Sequence, residues 1–528
     1  MREILTLQLG NAANHALTHL WNLQCAYPAD GGAVDHDVMF TNVANRQNDP
    51  VPRSIVVDFR DACGSVASAT APAAATPRGI GGGGNEDDEA EAFVGWAADR
   101  IDPTGMAGTS SSTGSGTSSE YHQRLAAAEN NDDENNTGRL DPSRIKSWPD
   151  YLHPYLHPQS LFPVTRPLRF DSAAAGAATV ASADWIDELL ETRVRKFLED
   201  ADSVQGIVLA TDATAAGWMG VAATLAPRIA DDLGTKMPVL VPMMTAAAGG
   251  GPPQPPLALA TAAAVAALVD AFSTVAVVPL AMTGGTAAVV AGESDDRKPG
   301  VQSARYLATA AAAMALDVLL APVRDVRTAS STGGGGTGHR LADLIDAVTA
   351  QGRGGSSSAA APLVRGTLWC DPVVKAVGGY ASAFRPGTAL PLWSLTPPAT
   401  SRRLTAVVPP PSPRPDAELW VRVGQQDQQQ LLIDPTTGIA VVPWPRAAEY
   451  ARPAMGVVRS VPFPFTTGVE SERPSQGTPA VAQWTMDARG VVAPVVRGWV
   501  ATARAARESD LAERLEEMVG DDGDDELM

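Results

Sequence analysis

Cysteine is scarce. Cys25, Cys63 and Cys370 are the only three in 528 residues, and none has CxxC spacing. That leaves too little sulfur for a disulfide framework or a structural zinc site and suits a reducing compartment. Basic residues are in deficit as well. The 40 Lys and Arg stand against 59 Asp and Glu, for a formal charge of −19. A phosphodiester surface needs clustered cations, so nucleic acid is not the expected partner. GK[ST] phosphate loops, GxSxG and HExxH motifs are all missing from the chain. Arg2 and Glu3 run straight into alternating apolar residues, the pattern of neither a secretory signal nor a transit peptide, and a cytoplasmic chain is expected. One apolar run, residues 257–282, is long enough to suggest a membrane span. Asp270 sits in its middle, where a charge costs about 2.5–3.5 kcal/mol to insert. This run reads instead as an Ala-rich buried helix followed by a strand at 275–279.

The apolar fraction of 45% is ordinary for a globular protein. Residues 4–9 alternate as a strand, 10–14 turn, and 16–24 continue as a helix. "VPRSIVVDF" at 51–59 carries the Val/Ile block of a buried parallel strand. Residues 67–140 then collapse into Ala, Gly, Ser, Thr and acid, as in "GGGGNEDDEAEA", and read as a disordered insertion. Order resumes at "WPDYLHPYLHPQSL" (148–161). Ile186, Leu189, Leu190, Val194, Phe197 and Leu198 form a helical stripe with Asp184 as its expected N-cap. A strand at 204–210, a loop at 211–217, a helix at 218–226 stopped or kinked by Pro227, and a strand at 239–244 complete a βαβ order. That order implies a parallel sheet with helices on both faces. A further helix is expected at 305–324. The expected division is a first domain at 1–325, a Gly/Ser-rich linker or insertion at 326–362, a smaller mixed α/β domain at 363–505, and an acidic tail at 506–528.

Several motifs fail by context. "GIGGGG" at 79–84 fits GxGxxG but has neither a strand before it nor a helix after it, and "GGGGTG" at 333–338 follows "RTASST" rather than a strand. His153 and His157 have i,i+4 spacing, yet Pro154 and Pro158 forbid a regular helix between them, so they are expected to shape a rigid turn against Trp148 and Tyr151. His15 and His19 share a helical face without nearby carboxylates or thiolates, which favours a structural role. No metal site is expected.

"MREI", the turn "GNAANH", "VPRSIVVDF" and "RVRKFLEDADSVQGIVL" resemble the opening strand–turn–helix, the second strand and a later helix–strand pair of tubulins. "LQLGNAANHALTHLWNLQ", "WPDYLHPYLHPQSL" and "LATAAAAMALDVLLAPVRD", in that order, resemble the Misato family of tubulin-like proteins more closely. The resemblance covers residues 1–66 and 146–325. It implies a tubulin-like Rossmann-type α/β fold and a role in mitochondrial distribution, morphology and inheritance. It also implies a cytoplasmic protein associated with mitochondria, with protein partners at their surface, chaperonin and tubulin being the candidates.

Against tubulin, the nucleotide site is degenerate. The loop matching tubulin's glycine-rich one is "TDATAAGWMG", with only Gly217 and Gly220 kept, and Arg60 aligns with tubulin's metal-side acid. No asparagine follows Asn136, whereas tubulin uses downstream asparagines to read guanine and to present its hydrolysis motif. The residues left to form such a site are Gly10, Asn11, Asn14, Asp58, Asp212, Gly217 and Gly220. The reading that follows is a non-enzymatic tubulin-like scaffold with no required cofactor. The alternatives are a GTP-binding switch or weak GTPase, and an adaptor in chaperonin-assisted tubulin folding.

Overall fold

The computed structural model describes residues 2–25, 35–42, 50–64, 66, 119, 121–122, 142–245, 255–282, 300–324, 340–349 and 492–519, with short strands between 365 and 485. The expected insertion at 67–140 lies outside the described residues, apart from Ser119, Tyr121 and His122. Strand β1 (Glu3–Leu9) leads into helix α1 (Asn11–Cys25), and β2 (Phe40–Asn42) pairs with β3 (Pro50–Pro52) as a small ribbon. Then come β4 (Ser54–Phe59), β5 (Leu161–Val164), α2 (Ala173–Thr179) and a helix α3 over residues 183–199. α3 is α-helical at Ala183–Asp187 and Arg195–Glu199, with a π-helical stretch at Glu188–Val194 between them. β6 (Val204–Asp212), α4 (Ala216–Leu233), β7 (Val239–Thr245), α5 (Pro255–Ala271), β8 (Val275–Ala281) and α6 (Val301–Arg324) follow.

Six of these strands form one parallel sheet in the order β5-β4-β1-β6-β7-β8. Every residue of β1, β4 and β7 is buried, because helices cover both faces of the sheet. On one face, Ile4, Val56, Val208 and Leu240 pack against α1 and α6. On the other, Leu5, Ile55, Leu209 and Val241 pack against α3, α4 and α5. No helix among the described residues is long and apolar enough to cross a membrane, and 257–282 divides between α5 and β8.

Several local expectations are corrected. The opening turn is Gly10 alone, and α1 starts at Asn11 with Asn14 N–H donating to the Gly10 carbonyl at 2.9 Å. Ser182, rather than Asp184, caps α3, its hydroxyl accepting from the Trp185 N–H. β6 extends to Asp212, so the following loop shrinks to residues 213–215. α4 runs through Pro227, which lies on the exposed side where water can take the carbonyl that lost its N–H partner. The expected linker at 326–362 contains helix α7 (Leu341–Thr349), with Leu341, Leu344 and Ile345 buried in the α1 face of the core. Their i, i+3, i+4 spacing was readable, but glycine runs on either side obscured it.

Past residue 363, the described backbone is strand and then helix. β9 (Arg365–Cys370) pairs antiparallel with β11 (Ala389–Pro391) and β15 (Ala480–Thr485). β10 (Val374–Ala376) pairs with β14 (Phe465–Thr467), and β12 (Leu432–Ile433) with β13 (Ala440–Val441). Helices α8 (Val492–Ala505) and α9 (Ser509–Val519) form a hairpin on α5 that buries Val496, Trp499, Val500, Ala503, Ala512 and Leu515 in the main core. The boundary expected at 505/506 thus falls in the turn of one packed unit.

Candidate functional site

Helices that follow neighbouring strands β1 and β6 leave for opposite faces of the sheet. That reversal opens a crevice at the carboxyl ends of β1 and β6, the place where open α/β sheets take ligands. Here it lies between the first turns of α1 and α4, where free backbone N–H groups and the helix dipoles favour an anion.

The chain itself fills this place. Asp212, the last residue of β6, reaches across the crevice. Its Oδ2 accepts from Ala12 N–H at the start of α1 at 2.9 Å. Its Oδ1 accepts from Thr214 N–H at 3.0 Å and from the Thr214 hydroxyl at 2.5 Å. The carboxylate therefore holds the helix terminus that would otherwise attract an outside anion. Gly10 has φ +94°, a conformation that favours glycine, and a Cβ there would come within 2.6 Å of the Trp218 indole.

The two glycines kept from the tubulin-like loop serve packing. Both lie inside α4, not in a loop. A Cβ on Gly217 would come within 2.4 Å of the Phe170 ring, and one on Gly220 within 2.0 Å of the Ala173 carbonyl oxygen. Gly176 of α2 would meet the Gly217 carbonyl at 1.8 Å, so α2 lies against α4 backbone to backbone. Phe59, Phe170 and Trp218 pack on one another beside this contact, Phe170 edge-on to the other two, with ring centroids 4.8–5.0 Å apart.

Asn11, Asn14 and Asp58 also come together, fully buried. Asp58 Oδ2 accepts from Asn14 Nδ2 at 2.8 Å and Asn11 Nδ2 at 3.4 Å, and its Oδ1 from Phe59 N–H at 2.8 Å. Arg305 of α6 donates to Asn11 Oδ1 at 2.5 Å. Asn11, Asn14, Asp58 and Asp212 thus gather with Gly10 about the start of α1, while Gly217 and Gly220 face Phe170 and α2. Arg60 is exposed at the end of β4, its N–H bonded to the Val164 carbonyl. Phe170, Thr214, Trp218 and Arg305 were not singled out from sequence. Arg305 alone left a trace, a cation opening an otherwise Ala-rich helix.

Behind the crevice, α1 and α6 meet through polar groups. His15 bonds the Tyr151 hydroxyl at 2.8 Å and Gln302 Oε1 at 2.6 Å, and His19 bonds the Tyr306 carbonyl at 2.7 Å. Burial pushes both imidazoles down to about 3 against these hydrogen bonds, and for His15 the nearby Arg305 charge adds to the effect. Gln24 bonds Asp317 and Arg324 farther along. His153 bonds the Tyr121 hydroxyl, while His157 caps the short helix at 158–160 and rests edge-on against Phe197. All four histidines are structural. Among the described residues no group of three or more His, Cys, Asp or Glu could hold a metal.

The doubly wound sheet and the crevice at its switch point define a tubulin-like domain. The family profile described as "Misato Segment II tubulin-like domain" matches residues 2–127, and that described as "Tubulin domain" matches 137–321. Protein DML1 of Coccidioides immitis is 28% identical over 254 residues, covering 45% of this chain and 43% of that protein. Protein dml-1 of Neurospora crassa is 27% identical (44% and 41% covered), and protein dml1 of Aspergillus oryzae 27% (45% and 45%). The matched stretch spans less than half the length of each of these relatives. The chain belongs to the Misato family of tubulin-like proteins.

Proposed function

We propose that this protein is a non-enzymatic tubulin-like scaffold that acts through protein contacts in mitochondrial distribution, morphology and inheritance. The observation that carries the scaffold half is Asp212. Its carboxylate occupies the N-terminus of α1, from which a tubulin-type site would bind phosphate, while Trp218 covers Gly10. A nucleotide would have to expel a buried carboxylate with three hydrogen bonds and part the Phe59–Phe170–Trp218 cluster. The mitochondrial setting comes from the Misato family resemblance, and the absence of a long apolar helix among the described residues fits docking through other proteins.

Calorimetric titration of the folded protein with GTP and magnesium, with ATP as control, tests the scaffold half. A flat titration is expected. Micromolar, GTP-selective heat would replace this reading with a nucleotide switch. Depletion of the protein should disturb mitochondrial distribution, and depleted cells with normal mitochondria would refute the setting.

A further inference from the structure

The β5 edge of the sheet carries two features that the crevice does not use. The first is the loop after β5. Arg166 anchors its start, donating to both Asp61 oxygens at 3.0–3.2 Å with its guanidinium 4.0 Å above the Phe59 ring. Phe170 anchors its end, inserted against Phe59 and Trp218. Between these pins, Leu168 stands out at 107% exposure, as the exposed large hydrophobic among the described residues. Arg169 beside it is exposed, as is Arg60, which follows Phe59 and bonds β5 through its N–H. Neither arginine has an ion pair among the described residues. A loop held this firmly gives up little entropy when its tip is buried, which suits a docking anchor.

The second feature is the outer face of α3, on the same edge. Arg193 ties α3 there by donating to the Leu161 carbonyl at 2.6 Å, and Trp185 packs edge-on against Phe162 of β5. Trp185 and Ile186 are half-buried, and exposed Asp184 and Asp187 flank them, also without an ion pair among the described residues. One patch is thus an apolar knob between two cations, and the other an apolar surface between two carboxylates. They are complementary in shape class and charge, and both border β5, which among the described residues pairs with β4 alone.

We infer that a second copy of this chain covers the β5 edge, in a two-fold pairing that seats Leu168 of each copy on Trp185 and Ile186 of the other. Arg60 and Arg169 face Asp184 and Asp187 across the contact. A two-fold axis makes the contact twice, once in each direction, so two modest patches act as one interface. Pro163 removes an N–H from β5, so the pairing runs through side chains rather than by continuing the sheet. The inference is independent of whether the crevice binds nucleotide.

Light scattering on the purified full chain across a concentration series tests it. The mass should rise from 54.7 kDa toward twice that value, and high salt should oppose the rise. Leu168→Asp, Arg169→Glu and Asp187→Lys should each weaken association by about tenfold or more, since each puts like charges, or a charge and an apolar surface, together twice. All three positions are at the surface, so folding is preserved, and circular dichroism checks it. Mixing Arg169→Glu chains with Asp187→Lys chains should restore the dimer, because only the mixed pair has opposite charges at both contacts. A monomeric mass at every concentration overturns the inference. So does a dimer that ignores the substitutions, or a mixture that fails to recover.

Discussion

Acid should destabilise this protein through His15 and His19 before its carboxylates titrate. Burial holds both imidazoles near 3 in the folded state, whereas an unfolded histidine titrates near 6.5. Protons therefore bind the unfolded chain preferentially. The stabilising contribution is complete above pH 6.5 and is lost as pH falls from there toward 3. Each histidine removes about 1.4 kcal/mol per pH unit once well inside that window. At pH 5.0 the loss is about 2 kcal/mol per residue, or about 4 kcal/mol for the pair, as an upper estimate. That is a large part of the roughly 5–15 kcal/mol by which domains are stable. Burial also lowers His153 and His157, which adds in the same direction. Urea unfolding at pH 7.5 and 5.0, followed by tryptophan fluorescence, measures the effect. The midpoint should drop sharply for the wild type, and less for His15→Gln or His19→Gln, each of which removes one buried base. Equal midpoints at the two pH values would refute the reasoning. So would single variants that keep the full wild-type pH dependence, because the acid sensitivity would then arise elsewhere.

Gly217→Ala and Gly220→Ala should each cost about 1–3 kcal/mol by overpacking. Gly220→Ala should be the worse, because its new methyl meets the Ala173 backbone oxygen rather than the edge of a ring. Thermal melts that rank them the other way would contradict the assigned packing. Asp212→Ala leaves Ala12 N–H and Thr214 without their acceptor and should cost about 2–3 kcal/mol, read from urea midpoints. If the same variant gained measurable affinity for inorganic phosphate, the vacated helix terminus would be acting as an anion site. An undiminished midpoint would show that the carboxylate does not hold α1.

The sheet was legible because its strands are buried on both faces. Apolar blocks such as Ile55–Val57 and Ile207–Leu209 have few other uses in a chain. The nearness of Gly10 and Asn11 to Asp212 was legible too, since the segments after β1 and β6 must converge wherever two parallel strands lie side by side. What fills the crevice was not legible. Asp212 could face solvent or α1, and only the register of β6 against β1, with Thr211 opposite Leu9, sets it opposite the α1 terminus. Trp218 and Phe170 read as ordinary core aromatics, 48 residues apart, and nothing local announces that they meet over Gly10 and Gly217. The cap of α3 was misplaced by two residues because Ser182 and Asp184 are both good caps. The Oγ geometry that decides between them is tertiary detail.

The backbone contact between α2 and α4 alters what a retained glycine means. Gly217 and Gly220 stand where a nucleotide-binding relative would need them, yet here each is required by a neighbouring peptide group or ring. A pattern search that scores these glycines would report a phosphate loop whether or not a phosphate binds, since close packing calls for the same letters. The residues that distinguish packing from ligand binding lie elsewhere in the chain. Phe170 packs on Trp218 and Asp212 bonds the start of α1, and those two positions, rather than the glycines, are the ones to compare across this family.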